Sequence, residues 1–181
     1  SMALVADSSA QSGSLRDIDP EKSTMTVRVF KSGLFSAFGH EHEVRAPVAE
    51  GRFNEVQPAV ELRVDASQLR VVDKDVSDSD RAKVQDTMLG PQVLDAKAYR
   101  DIWFRSTRID RLGDSRWLVH GDLTLHGQTH PVQVQTEGQG GHFRGWAELK
   151  QKDFGITPVT VGGGTVKVKN EVRVEFDIVG K

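Results

Sequence analysis

Apolar and charged positions alternate most regularly at the end of the chain. From Val166 to Ile178 the even positions are apolar apart from Asn170, while the odd positions carry Lys167, Lys169, Glu171, Arg173, Glu175 and Asp177. Successive side chains on a strand point to opposite faces, so this segment has one oily face and one charged face. At about 3.3 Å per residue it spans roughly 40 Å. A two-layer sandwich rarely needs a strand that long, whereas the tilted strands of a tall antiparallel barrel do. The inward row is mostly valine, which predicts an apolar interior that the protein's own side chains do not fill.

The same period marks other segments. A strand is expected at 23–30, with Met25, Val27 and Val29 on one side. Another runs over 42–53, broken at Pro47, and a third carries Val60, Leu62 and Val64 between Glu61, Arg63 and Asp65. Proline lacks the N–H a ladder needs, so Pro47 predicts an edge or a bulge. Five more strands are expected at 101–109, 116–125, 130–137, 142–150 and 166–179. Between Ser77 and Gly90 the period changes. Asp78 or Ser79 is a candidate cap, Val84 and Met88 lie four apart, and Gly90-Pro91 ends a helix of two to three turns. Gly33 to Gly39 encloses Leu34, Phe35, Ala37 and Phe38, a short apolar plug or single helical turn. Residues 1–18 lack a usable period and read as a disordered leader, leaving 19–181 as one domain. Eight short-linked antiparallel strands and one helix make an all-β fold, an up-and-down barrel or a sandwich.

Composition narrows the chemistry. The 181 residues carry a formal net charge of −2 and no cysteine. Disulfides, thiolate metal sites and cysteine nucleophiles are excluded. The scattered Lys and Arg give no footprint for nucleic acid. No stretch approaches the roughly 20 apolar residues of a membrane helix, so stable membrane insertion is not expected. No signal peptide is visible, and Ser1-Met2 reads as a vector remnant.

Three blocks carry a family resemblance. Met88-Leu89, Val93-Leu94-Asp95-Ala96, Tyr99, Ile102, Phe104 and Ser106 form the first. Gly121-Asp122-Leu123-Thr124-Leu125-His126-Gly127 with Pro131-Val132 forms the second, and Lys152-Asp153-Phe154-Gly155-Ile156 the third. Their order and spacing resemble the YceI-like family from about residue 18 to the end. The resemblance implies a lipocalin-like, eight-stranded antiparallel barrel with one short helix. It also implies export to the periplasm, or secretion, and a long polyisoprenoid chain held in the barrel, as in a polyprenyl phosphate or a quinone tail. Arg100 stands where that family commonly has proline, which should alter a loop and not the fold.

The residues expected to line a lipid tail are Val27, Val29, Leu62, Val64, Val119, Leu123, Val134, Val172, Val174 and Phe176, with Val60, Leu125, Val132 and Ile178 on the same face. A tail needs no polar contact for affinity, because each buried CH₂ contributes about 0.8 kcal/mol. Candidate lids are Phe35 and Phe38 in the apolar plug and Val84 and Met88 on the helix. Candidate headgroup contacts are His40, His42 and Asn170; an inward amide must find a partner or cost about 1–3 kcal/mol. His40 and His42 share one side of an extended segment, so they also support the alternative of a metal- or haem-binding module for stress protection or electron transfer. The spacing of His40-Glu41-His42 is not that of a metalloprotease. Asp73, Asp75, Asp78 and Asp80 lack the glycine and closing glutamate of a calcium loop. No nucleophile motif or phosphate loop appears, so neither catalysis nor a resident cofactor or metal is expected. A homodimer through exposed strand edges is a further expectation.

Overall fold

The computed structural model describes residues 15–33, 41–161, 164 and 166–181. The fold is a single curled antiparallel sheet with one α-helix among the described residues. Its strands are β1 (Leu15–Asp17), β2 (Thr24–Gly33), β3 (His42–Arg45), β4 (Val48–Asn54), β5 (Ala59–Asp65), β6 (Arg70–Val71), β7 (Asp101–Gly113), β8 (Arg116–Leu125), β9 (Gln128–Gln139), β10 (His142–Lys150), β11 (Thr160–Val161) and β12 (Val166–Val179). Eleven of them run in the order β1-β4-β5-β7-β8-β9-β10-β12-β2-β3-β6, and β11 pairs with β12 off this path.

The sheet therefore has twelve strands where the alternation predicts eight. All eight predicted segments are present. Pro47 splits the second into β3 and β4, and β1, β6 and β11 are three residues or shorter. The split shapes the molecule. β3 pairs with β2, whereas β4 pairs with β5, so the chain passes from one flank of the sheet to the other at Ala46-Pro47. Ala46, whose N–H donates to the Met25 carbonyl at 2.9 Å, and Val48 are both buried at the bend. At the other closure of the sheet Ile18 bridges Gly180, and the Lys181 N–H donates to the Asp17 carbonyl at 2.8 Å. Both ties curl the sheet into a barrel-like shape around an interior. β1 and the buried Ile18 also place residues 15–18 inside the fold, not in a disordered leader.

Two-residue turns set the register of the long hairpins. His126 and Gly127 join β8 to β9 with φ of 54° and 70°. Two positive φ values match the right-handed twist of the flanking strands. His126 tolerates this because its Nδ1 donates to the Phe154 carbonyl at 2.9 Å and its ring packs on Tyr99 at 4.7 Å. Gly140 and Gly141 repeat the conformation between β9 and β10.

Helix α1 (Asp78–Leu89) is capped by Ser77, one residue before the predicted cap Asp78 and two before Ser79; its hydroxyl accepts the Asp80 N–H at 3.1 Å. It has no fully buried residue. Polar bonds attach it instead: Gln85 accepts the Val71 N–H and donates to the Leu69 carbonyl, both at 2.8 Å. Arg81 Nε donates to the Asp73 carbonyl at 3.0 Å.

Two apolar clusters flank the interior, and Met25 and Leu62 pack against both. Val44, Ala46, Val64, Leu69, Val71, Leu94, Phe154 and Ile156 form one, with Val84, Met88 and Leu89 of α1 packed on it. Ile18, Val48, Phe53 and Ile178 form the other.

Candidate functional site

Residues of both clusters line a cavity of about 930 Å³. Ligand sites run from roughly 300 to 1,000 Å³, so it has room for a large molecule. Inward side chains of nearly every long strand line it. Val27 and Val29 come from β2, Leu62 and Val64 from β5, Val119 and Leu123 from β8. Val134 on β9 and Val172, Val174 and Phe176 on β12 complete the ten predicted tail contacts. Val60, Leu125, Val132 and Ile178 join them. Val27, Val29, Val134 and Val174 are only half-buried, because they face this space and not a packed neighbour.

The predicted headgroup and lid residues divide. His42, Val84 and Met88 line the cavity. Phe35, Phe38 and His40 lie outside the described residues. Asn170 is not among the lining residues, and its amide is bonded elsewhere. The pairing of β12 with β2 steps from Val168↔Lys31 to Val172↔Val29, so four residues on β12 answer two on β2. The two extra residues keep even positions inward on both sides of the bulge and leave Asn170 within it. Its Oδ1 accepts the Lys152 N–H at 2.9 Å, holding the 3₁₀ turn Gln151–Phe154 against β12.

His42 sits in a defined polar setting. Its Nδ1 lies 2.7 Å from Oδ2 of Asp73, and the other carboxylate oxygen accepts the Glu43 N–H at 2.7 Å. Asp73 is 6% exposed. A buried carboxylate needs both oxygens satisfied, and here they are. This pair is not legible in the sequence, since 31 residues separate its members and nothing in the local pattern links them. Among the described residues no group of three His, Cys, Asp or Glu is placed to hold a metal ion.

The remaining histidines have structural partners. His120 meets Asp110 at 2.9 Å and holds its carboxyl below the ordinary carboxylate range, with Arg108 adding to the effect. His142 meets Asp177, and His130 packs edge-on against Phe154 at 5.6 Å. Arg100 also has a role: it binds Asp65 at 2.9 Å, beside the 3₁₀ turn Ala66–Gln68 that Asp65 caps. With the Ser67 hydroxyl, this contact holds the Asp65 carboxyl down at about 2.

A family model described as a YceI-like domain matches residues 17–180. A UPF0312 protein of Vibrio cholerae is 34% identical over 140 residues, which cover 70% of this chain and 72% of that protein. A UPF0312 protein of Shewanella oneidensis is 31% identical over 108 residues, covering 54% and 56% respectively. Among solved structures, BcnA of Burkholderia cenocepacia superposes with a TM-score of 0.64 at 21% identity, over 91% of this chain and 99% of that one. The YCEI protein of Campylobacter jejuni gives 0.54 at 12% identity, over 76% and 81%. At these identities the structures share the fold.

Proposed function

The chain belongs to the YceI-like family, and from that premise we propose that it is a carrier whose cavity holds the tail of a long-chain isoprenoid lipid, without turning it over. The observation that carries this reading is the apolar cavity of about 930 Å³. Cavities left by core truncation cost about 24 cal/mol per Å³. A space of this size, partly open to solvent, is far larger than such enclosed cavities and is filled by water or by a ligand. Such a space is occupied or wet, and its valine lining favours an apolar occupant over water. A slim, branched polyprenyl chain or quinone tail suits a lining of small β-branched side chains. The reading fits an exported protein, since a lipid passing between membranes must be shielded from the aqueous space between them.

Titration with a polyprenol or a quinone of matched tail length tests the proposal. Val174→Trp, opposite Val27 and Ala147 in the register, should fill the cavity and reduce tail affinity at least tenfold. Its stability should change by less than the 1–3 kcal/mol typical of an overpacked core. Unchanged affinity would count against tail binding there.

A second reading keeps His42 as a metal or haem ligand. The bond from Asp73 to its Nδ1 is the arrangement that orients ligating imidazoles. Metal analysis of unsupplemented protein, with His42→Ala as control, separates this reading from the first.

A further inference from the structure

The two ends of the cavity differ in how their polar side chains are used. At the far end, Glu55 accepts the Gly141 N–H at 2.6 Å. Arg111 is committed to the Gly113 carbonyl at 3.1 Å and to Asp114 at 3.5 Å, with its guanidinium over the Trp117 ring. At the helix side, Lys31 of β2 and Lys83 of α1 line the cavity, as does His42. Among the described residues the ion pairs of β2 are made by Arg28, and that of α1 joins Arg81 to Asp78. Neither lysine takes part. The carboxylate buried at this end, Asp73, is already bonded through both oxygens.

Resting on the carrier reading, we propose that the helix-side end is a subsite for the phosphate-type anionic head of an isoprenoid lipid, contacted by Lys31 and Lys83. His42, positioned by Asp73, lines the same cavity and turns its remaining ring nitrogen, Nε2, to the ligand. A lysine ammonium is a compact charge on a flexible stem, suited to a phosphate that moves with its tail. A neutral quinone ring gains nothing from two cations. Burying the tail leaves the lipid's head at this end, where the exposed position of Lys83 lets water partly screen the charges. The two lysines together should therefore contribute about tenfold in affinity.

The test compares three ligands of equal chain length on the full protein: a polyprenyl phosphate, the polyprenol and a quinone. The phosphate should bind about tenfold more tightly than the alcohol at low ionic strength, and the gap should narrow as salt rises. The double variant Lys31→Gln/Lys83→Gln should erase the gap, while Lys22→Gln, an exposed lysine away from the cavity, should keep it. Equal affinity for phosphate and alcohol, or a gap that survives the double variant, overturns the subsite and leaves the carrier reading standing. Failure of all three ligands to bind overturns both. Displacement of the lipid by inorganic phosphate alone would assign the lysines to a free anion and overturn the lipid-head assignment.

Discussion

One of the two apolar clusters around the cavity is made by the sheet itself and the residue next to β1. Ile18, Val48, Phe53 and Ile178 interlock there, and Phe53 meets Phe143 edge-on at 5.6 Å. At the helix side the other cluster also draws on segments outside the sheet: Leu69, Leu94, Phe154, Ile156 and the Val84/Met88 face of α1. These elements lack ladder hydrogen bonds; short-range backbone bonds such as Leu94 N–H to the Met88 carbonyl at 3.0 Å hold them locally, and side chains attach them to the sheet. Gln85 ties α1 to β6, His126 ties the β8–β9 turn to Phe154, and Asn170 ties the 3₁₀ turn that contains Phe154 to β12. One side is therefore as firm as the sheet, while the other is attached to it through a few replaceable contacts. Only that second side places lysines free of ion pairs, among the described residues, beside the cavity.

The sharpest way to break this contrast is Phe154→Ala. Phe154 is 1% exposed at the centre of the helix-side seal, and its loss should cost about 3–5 kcal/mol in denaturant unfolding. A cost near zero would mean that this seal contributes little. Gln85→Ala leaves the Val71 N–H and Leu69 carbonyl without their partners and should cost about 1–3 kcal/mol. Its more telling readout is hydrogen exchange, which should speed up in α1 and leave β10 and β12 protected. Faster exchange throughout would erase the distinction between the ends.

The smallest effect concerns Asp65. Its carboxyl is held at about 2 against an ordinary 3.8, first by Arg100 and then by Ser67. A depressed folded-state pKa adds stability above about pH 4 that disappears as pH falls through about 2. Because Arg100 is 68% exposed, the contribution should be about 1 kcal/mol. Arg100→Ala should remove most of the pH dependence in that window; an unaltered acid limb would exclude the pair as its source.

Much of the sheet is legible in the chain because alternation is a local property. The row Val172, Val174, Phe176 and Ile178 announces its inward face directly. Pro47 likewise announces the break that separates β3 from β4. What parity cannot reveal is a bulge that adds two residues at once, since it leaves the alternation intact. Asn170 therefore reads as an inward amide although it bonds to Lys152. The His42–Asp73 pair and the Gln85 tether are hidden for another reason. Each joins residues brought together only by the closing of the fold, and neither leaves a periodic trace. Lys31 is hidden by composition: on a strand with charged side chains it resembles any solvated lysine until the curl of the sheet turns it to the cavity.

The central claim is that the cavity carries an isoprenoid. Mass spectrometry of an organic extract from purified, never-refolded protein tests it most directly. The account predicts one polyprenyl or isoprenoid-quinone species in near-stoichiometric amount, absent from the Val174→Trp variant prepared in parallel. An extract free of such lipid, from protein that also fails to take up added polyprenol or quinone, would contradict it.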